Sequence, residues 1–344
     1  MEASIPDRVL VTGISGFLGG HVALQLLQNG YFVRGSVRSP ARADRVRATL
    51  AAHGADLSRL EIVALDLLDD TGWAEAATGI RYLHHVASPL VIEQPRDRDD
   101  LIRPAVEGTR RALTAAFAAG VERVVLTSSI AAIVYGHADR TRPFTTSDWT
   151  DPQSPRTAAY AESKLRAERE AWAIAEARGA RDRLTVINPA AILGPLLDDD
   201  PGTSGALILR LLNGAVPAAP RLTFSLVDIR DVAAAHLAAM TAPEAGGHRH
   251  ILSESEMSVI DLATALRPHL PALAARLPRF ELPDALVRPV ALFHPQLRQN
   301  TGELGRIRRV DGSTGRALLG RPLIPAAEAA LATARSLIAH GLVR

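Results

Sequence analysis

The run Gly13-Ile-Ser-Gly16-Phe-Leu-Gly19-Gly constrains this chain most, because of what stands on either side of it. Before it, Asp7-Arg-Val-Leu-Val-Thr12 is short, apolar and β-branched, as a buried parallel strand is. After it, residues 21–29 place Val22, Leu24, Leu26 and Leu27 on a helical stretch that stops at Gly30. Strand, glycine turn and helix in that order are the context a dinucleotide fingerprint requires. The glycines permit a tight turn and a close backbone approach to a pyrophosphate, which then faces the N–H groups of the helix N-terminus. The spacing is Gly-x-x-Gly-x-x-Gly, not Gly-x-Gly-x-x-Gly.

The second strand, 31–37, ends at Arg38, with Arg42 and Arg45 beyond it. An acidic residue at that place would serve the ribose hydroxyls of NAD. An arginine cluster suits a 2′-phosphate instead, so the expectation is NADP(H). Further strands follow at 61–67, 82–87, 123–129 and 184–188, with long helices at 102–119 and 158–177. Asp66 at the third strand end either meets the adenine or caps a helix from Asp69. Strict β/α alternation predicts an α/β fold with a Rossmann-type, doubly wound parallel sheet.

Of 39 lysines and arginines, one is lysine, Lys164, in Tyr160-Ala-Glu-Ser-Lys164. On a helix, residues four apart share a face. An ammonium is compact, unlike the broad guanidinium fork, and its field lowers the pKa of a nearby phenol. Such a pair can protonate a carbonyl oxygen while a nicotinamide supplies the hydride. A hydroxyl to fix that oxygen is available at Ser129, with Ser128 its rival; neighbouring strand residues face opposite ways, so one of the two enters the site.

With these residues in view, the chain resembles the extended short-chain dehydrogenases/reductases, in particular their dihydroflavonol-reductase-like branch of aldehyde and ketone reductases. The shared motifs include Thr12-Gly-x-x-Gly-Phe-Leu-Gly19, Val86-Ala-Ser-Pro89, Thr127-Ser-Ser129, Tyr160-Ala-Glu-Ser-Lys164 with Ala167-Glu168 and Trp172, and Asn188-Pro-Ala-Ala-Ile-Leu-Gly-Pro195. Val227-Asp-Ile-Arg-Asp-Val232 and Leu319-Gly-Arg-Pro322 extend the match towards the C-terminus. The resemblance implies Ser129, Tyr160 and Lys164 as a catalytic triad. It implies cofactor contacts at Gly13, Gly16, Phe17, Leu18 and Gly19, a 2′-phosphate grip by Arg38 and Arg45, and an adenine border at Asp66 and Leu67. Val86, Ala87 and Ser88 would line the nicotinamide end, with Tyr160, Lys164, Pro189 and Ile192 beside it and Ser204 near the phosphates. It also implies an NADP(H)-binding Rossmann domain over 1–188 and about 226–244, and a smaller, discontinuous substrate-binding lobe over about 189–225 and 245–344.

Some positions depart from the branch. Where plant dihydroflavonol reductases carry an asparagine five residues after the serine, this chain has Val134, which disfavours a flavonoid. Ala158-Ala159 and Ala161-Glu162-Ser163 replace the residues around the tyrosine of cinnamoyl-CoA reductases, which disfavours a CoA thioester. Pro89, Leu90, Ile130, Val134, Leu193 and Leu226 form an apolar candidate pocket, so the expected substrate is an apolar or aromatic aldehyde or ketone. Two other readings stand beside this: a nucleotide-sugar epimerase or dehydratase with tightly held NAD, and a non-enzymatic NADP(H) sensor. Arg38 weighs against the first and the intact Tyr160–Lys164 pair against the second.

The remaining composition mainly excludes. With no cysteine there is no disulfide framework, thiolate nucleophile or zinc–cysteine site. Net charge is +2 and no long block of like charge points to nucleic acid. No apolar run reaches membrane-spanning length and no signal-peptide core precedes the first strand, so a cytoplasmic protein is expected. The eleven histidines show no His-x-x-x-His spacing, and no metal is expected. Asp198–Asp200 reads as a solvated acidic turn. The helices at 102–119 and 158–177 would suit pairing across a two-fold axis, leaving monomer and homodimer both open.

Overall fold

The alternation of the sequence becomes a seven-stranded parallel sheet in the order β10-β6-β5-β4-β1-β2-β3 in this computed structural model, which describes residues 7–89, 97–138, 141–291, 293 and 301–344. The strands are β1 (Arg8–Thr12), β2 (Phe32–Val37), β3 (Leu60–Ala64), β4 (Tyr82–His85), β5 (Arg123–Thr127), β6 (Leu184–Pro189) and β10 (Arg249–Leu252). From β1 the chain builds outward to β2 and β3, then crosses back and builds the other way from β4. The order therefore reverses between β1 and β4, and a ligand crevice belongs at the C-terminal ends of those strands.

Every residue of β4 and β6 is buried, as strands covered on both faces require. On one face, helices α1 (Phe17–Gln28) and α7 (Ile229–Thr241) close a core around Val9, Val11, Val22, Leu26 and Val232. On the other, α4 (Asp99–Ala118) and α5 (Ala159–Ala177) close one around Leu83, Leu113, Val124, Ala171 and Val186. A third core of Leu193, Ile208, Leu211, Leu262 and Ala330 belongs to a separate lobe, which carries the three-stranded sheet β11-β9-β7 (Ser255–Ser258, Thr223–Asp228, Ala191–Leu193).

The border of that lobe differs from the expected one. The expected lobe takes in the whole stretch from about 245, but β10 pairs in parallel with β6 as an edge strand of the large sheet. The helix Ser313–Leu319 docks on β10, and Gly315 makes the contact possible: a Cβ there would lie 2.4 Å from the Ile251 carbonyl oxygen. The sequence His248-Arg-His hides this strand, since its arginine reads as a surface residue.

Three histidines are sealed between sheet and helices. His84 and His85 point to opposite faces of β4, as alternation demands. His84 Nδ1 lies 3.1 Å from His236 Nδ1, and His236 Nε2 lies 3.1 Å from Thr127 Oγ1. His85 Nδ1 lies 2.9 Å from Thr12 Oγ1, which already accepts the N–H groups of Val86 and Ala87. The hydroxyl's single proton therefore goes to His85 Nδ1, and the ring is neutral. Burial lowers the pKa of all three, to about 3 for His85 and His236.

An unfolded histidine titrates near about 6.5, so below that pH the unfolded chain binds protons that the folded chain refuses. The stability these residues contribute is fully present above that pH and is lost as pH falls. We expect the urea midpoint to drop between about pH 7 and 5 as the unfolding free energy falls by up to about 1.4 kcal/mol per pH unit for each histidine that must charge. A midpoint constant across that range contradicts the neutral, buried assignment.

Candidate active site

The glycine turn between β1 and α1 leaves no room for a side chain at Gly13 or Gly19. Gly13 adopts φ +70°, and a Cβ on it would lie 2.9 Å from Ala87 Cα. A Cβ on Gly19 would lie 2.1 Å from the Gly13 carbonyl oxygen. Helix α1 consequently begins at the turn itself, at Phe17, four residues before the apolar spacing suggests. Gly16 is its N-cap, no side chain caps it, and its first turn holds no acid. The first N–H groups of any helix lack an intrahelical acceptor. Here they belong to Phe17, Leu18 and Gly19, at the positive end of the helix dipole. This uncapped helix N-terminus, with no acid in its first turn, fits the pyrophosphate of a dinucleotide.

Two segments border the cradle. The half-buried run Val86–Ser88 is held by Thr12 Oγ1, which accepts from Val86 N at 3.1 Å and Ala87 N at 3.0 Å. From the other lobe comes the stretch 195–204. His21, kept neutral by burial with a pKa of about 4, bonds the Pro195 carbonyl through Nε2 at 2.9 Å. Gly202 opens the helix α6 (Gly202–Leu212) beside the Phe17 ring, and Ser204 lies half-buried in its first turn.

At the end of β2, Arg38 is exposed, as are Arg42 and Arg45. Arg45 differs from expectation: its guanidinium pairs with Asp198 at 3.0 Å and with Asp199. Two carboxylates of the acidic turn thus have a partner and are not simply solvated. Asp66 spends its side chain locally, accepting from Leu68 N at 2.8 Å. The helix expected from Asp69 begins only at Trp73, whose indole N–H bonds the Asp69 carbonyl at 2.9 Å. Leu67 packs over α4, where a Cβ on Gly108 would meet its side chain at 2.4 Å.

The chemical groups converge at the ends of β5 and β6. Ser128 is buried, and its hydroxyl donates to Glu168 at 2.6 Å. Ser129 faces the other way, half-buried, and accepts the Ala131 N–H at 3.1 Å. Its hydroxyl lies near enough to the Tyr160 phenol to favour the ionised form. Pro189 and Ile192 lie at and just past the end of β6, and the Pro189 carbonyl is 3.5 Å from Ser129 Oγ. Helix α5 carries Tyr160 in its first turn and Lys164 one turn on, with Nζ 5.9 Å from the phenol ring centroid.

The electrostatics depart from the sequence expectation. Burial raises the pKa of Tyr160, and the Ser129 hydroxyl opposes that rise; a net lowering by Lys164 is not what the site shows. Lys164 itself is nearly sealed off, and burial pushes its pKa down to about 8. The charge acting in the opposite direction is that of Glu168.

The expected pocket wall is also different. Val134, Leu193 and Leu226 are each almost fully buried within cores, whereas Pro89 and Ile130 remain half-buried. Leu90 lies outside the described residues. Tyr135, which the sequence did not single out, is half-buried, is pushed up to about 12 by burial, and feels the charge of Tyr160. Arg308 lies over its ring at 5.1 Å. Neither Tyr135 nor Arg308 stands in a pattern that sequence could flag. Among the described residues no cluster suited to a metal ion occurs, and no helix is long and apolar enough to cross a membrane.

Comparison with known proteins agrees with this architecture. Tetraketide alpha-pyrone reductase 2 of Arabidopsis thaliana is 35% identical over 271 residues, 77% of this chain and 83% of that protein. Cinnamoyl-CoA reductase 1 of Petunia hybrida is 36% identical over 271 residues, 76% and 78% of the two chains. The crystal structure of yeast methylglyoxal/isovaleraldehyde reductase Gre2 complexed with NADPH superposes with a TM-score of 0.78 at 27% identity, covering 97% of this chain and 99% of that one. The family described as the NAD dependent epimerase/dehydratase family matches residues 9–253. The chain belongs to that family, among the extended short-chain dehydrogenases/reductases.

Proposed function

We propose that this protein is an NADPH-dependent reductase that interconverts aldehydes or ketones with alcohols. The observation that carries the reading is the convergence of Tyr160, Lys164 and Ser129 in a fold whose first turn has no room for a Cβ at Gly13 or Gly19. NADPH, when bound, supplies the hydride. The chain's own residues must bind it, orient the carbonyl, and deliver a proton to oxygen.

Gly13, Gly16, Phe17, Leu18 and Gly19 would hold the pyrophosphate through backbone N–H groups. Arg38 would take the 2′-phosphate, with Arg45 joining once it exchanges Asp198 and Asp199 for that group. Asp66 and Leu67 would border the adenine; Val86, Ala87, Ser88, Pro189 and Ile192 would line the nicotinamide end, with Ser204 near the phosphates. Tyr160 carries its proton at neutral pH, as a phenol does, and burial strengthens that hold; a protonated phenol suits a group that must hand a proton to a developing alkoxide. Ser129 holds the same oxygen by a hydrogen bond that strengthens as charge builds on it. Lys164 places a cation beside the phenol, stabilising the phenolate left behind.

The reductase names of the relatives support this reading over an epimerase with held NAD, as does Arg38 in the place where a carboxylate would serve NAD. The substrate we propose is an apolar or aromatic carbonyl, with Tyr135 and Ile130 offering aromatic and aliphatic surface near Tyr160. A cytoplasmic location and a monomer or homodimer remain part of the proposal.

Replacing Tyr160 by Phe removes the proton donor and little volume. Turnover is expected to fall roughly 10²- to 10⁴-fold, with NADPH affinity nearly unchanged by fluorescence titration; near-wild-type turnover refutes the acid role. Arg38→Ala is expected to weaken NADPH binding by about 10- to 100-fold, the loss of a charge-assisted hydrogen bond, while NADH binding barely moves. Arg45→Ala costs less, since its guanidinium is shared with two carboxylates. Equal effects of Arg38→Ala on the two cofactors contradict the 2′-phosphate assignment.

A further inference from the structure

Behind the reacting groups lies a carboxylate that the chemistry above does not use. Glu168 follows Lys164 by one helical turn on the same face of α5 as Tyr160 and Lys164, and it is 0% exposed. Four side chains donate to it. Ser128 Oγ and Asn188 Nδ2 reach Oε2 at 2.6 and 2.8 Å, and Arg249 Nε and Trp172 Nε1 reach Oε1 at 2.6 and 3.4 Å. Asn188 Nδ2 also donates to the Ser129 carbonyl at 3.2 Å. One carboxylate therefore grips the peptide of Ser129 from behind, directly through Ser128 and indirectly through Asn188.

The same carboxylate stands one helical turn from Lys164 on α5, and its charge favours the ammonium. The titratable and charged groups around Lys164 come from three elements. Tyr160 and Glu168 lie on α5, His85 faces Lys164 from β4 and is neutral, and Arg249 stands on β10 behind Glu168. Of these, Glu168 is the group that favours the charged lysine against its burial.

We propose that Glu168 is a positioning residue of this site, fixing the strand end that presents Ser129 and holding the charge on Lys164, so that the hydroxyl and the proton donor meet one oxygen. This rests on the reading of Ser129, Tyr160 and Lys164 as the reacting groups. Arg249 completes the device as the ion-pair partner that holds the carboxylate in place, and it is anchored to the carbonyls of Thr146 and Asp148 at 2.7 and 2.8 Å.

Lys164 is the only lysine in the chain, so lysine labelled with carbon-13 at Cε alone yields one side-chain carbon resonance, and its titration needs no substrate. Failure here is thus separate from failure of the reductase reading, which turnover assays test. In the wild type the midpoint is expected near about 8. Glu168→Gln alone strands the Arg249 charge, so the double variant E168Q/R249Q is the folded comparison. Its Lys164 midpoint is expected to fall by about one pH unit or more, and the alkaline limb of the kcat profile is expected to move with it. An unchanged midpoint in this variant overturns the charge-holding role. Glu168→Asp keeps the charge but withdraws it from Ser128 and Asn188. Its midpoint is expected to stay near that of the wild type while kcat falls roughly tenfold or more at every pH. Wild-type kcat in Glu168→Asp overturns the geometric role, and a purely structural residue would lower thermal stability in both variants without moving the titration.

Discussion

A carboxylate sealed inside a protein stands only where enough donors replace its lost water, and in this chain that constraint ties four elements together at one point. Glu168 of α5 meets Ser128 at the end of β5, Asn188 of β6 and Arg249 of β10. Arg249 spends a further nitrogen on two carbonyls and stacks on Trp149 at 3.8 Å. Such a pair contributes little net stability over an apolar isostere, yet removing one partner costs about 3–5 kcal/mol. Its consequence is geometric: the helix bearing Tyr160 and Lys164 cannot slide relative to the strands bearing Ser129 and Pro189.

The opposite wall follows from a second constraint, the absence of Cβ atoms at Gly13 and Gly19. Backbone packs on backbone there, so α1 starts right at the turn and its N–H groups open onto the crevice at the strand reversal. Thr12 links the walls, since its hydroxyl holds the run after β4 and is itself oriented by His85, which faces Lys164. The second lobe closes over the turn through the stretch from Pro195 to Ser204, clasped by His21 and by the Arg45 pairs with Asp198 and Asp199.

Six of the seven strands of the large sheet were legible because their code is local. Short β-branched runs, a glycine turn and helical spacing declare strand, turn and helix without knowledge of the rest. Tyr160 and Lys164 were legible for the same reason, being four apart on one helix. What stayed hidden is non-local. Arg249 is one of 38 arginines, the 39 basic residues less Lys164, and nothing near it in sequence announces that it meets Glu168 across 81 residues. The tenancy of Arg45 by the acidic turn spans 153 residues. The pocket residues were misjudged because apolar character tells that a side chain avoids water, not whether it lines a cleft or fills a core, as Leu193 and Leu226 do. The direction of the Tyr160 pKa depends on burial, which proximity in sequence does not report.

The account turns on the claim that these groups reduce carbonyls with the phosphorylated cofactor. The most direct measurement is the loss of NADPH absorbance with a panel of aromatic aldehydes, aryl ketones, diketones, bulky ketoesters and CoA thioesters, repeated with NADH. The account predicts turnover of free carbonyl substrates with NADPH and little with NADH. No turnover of any of them with either cofactor, in protein that binds NADPH, contradicts it.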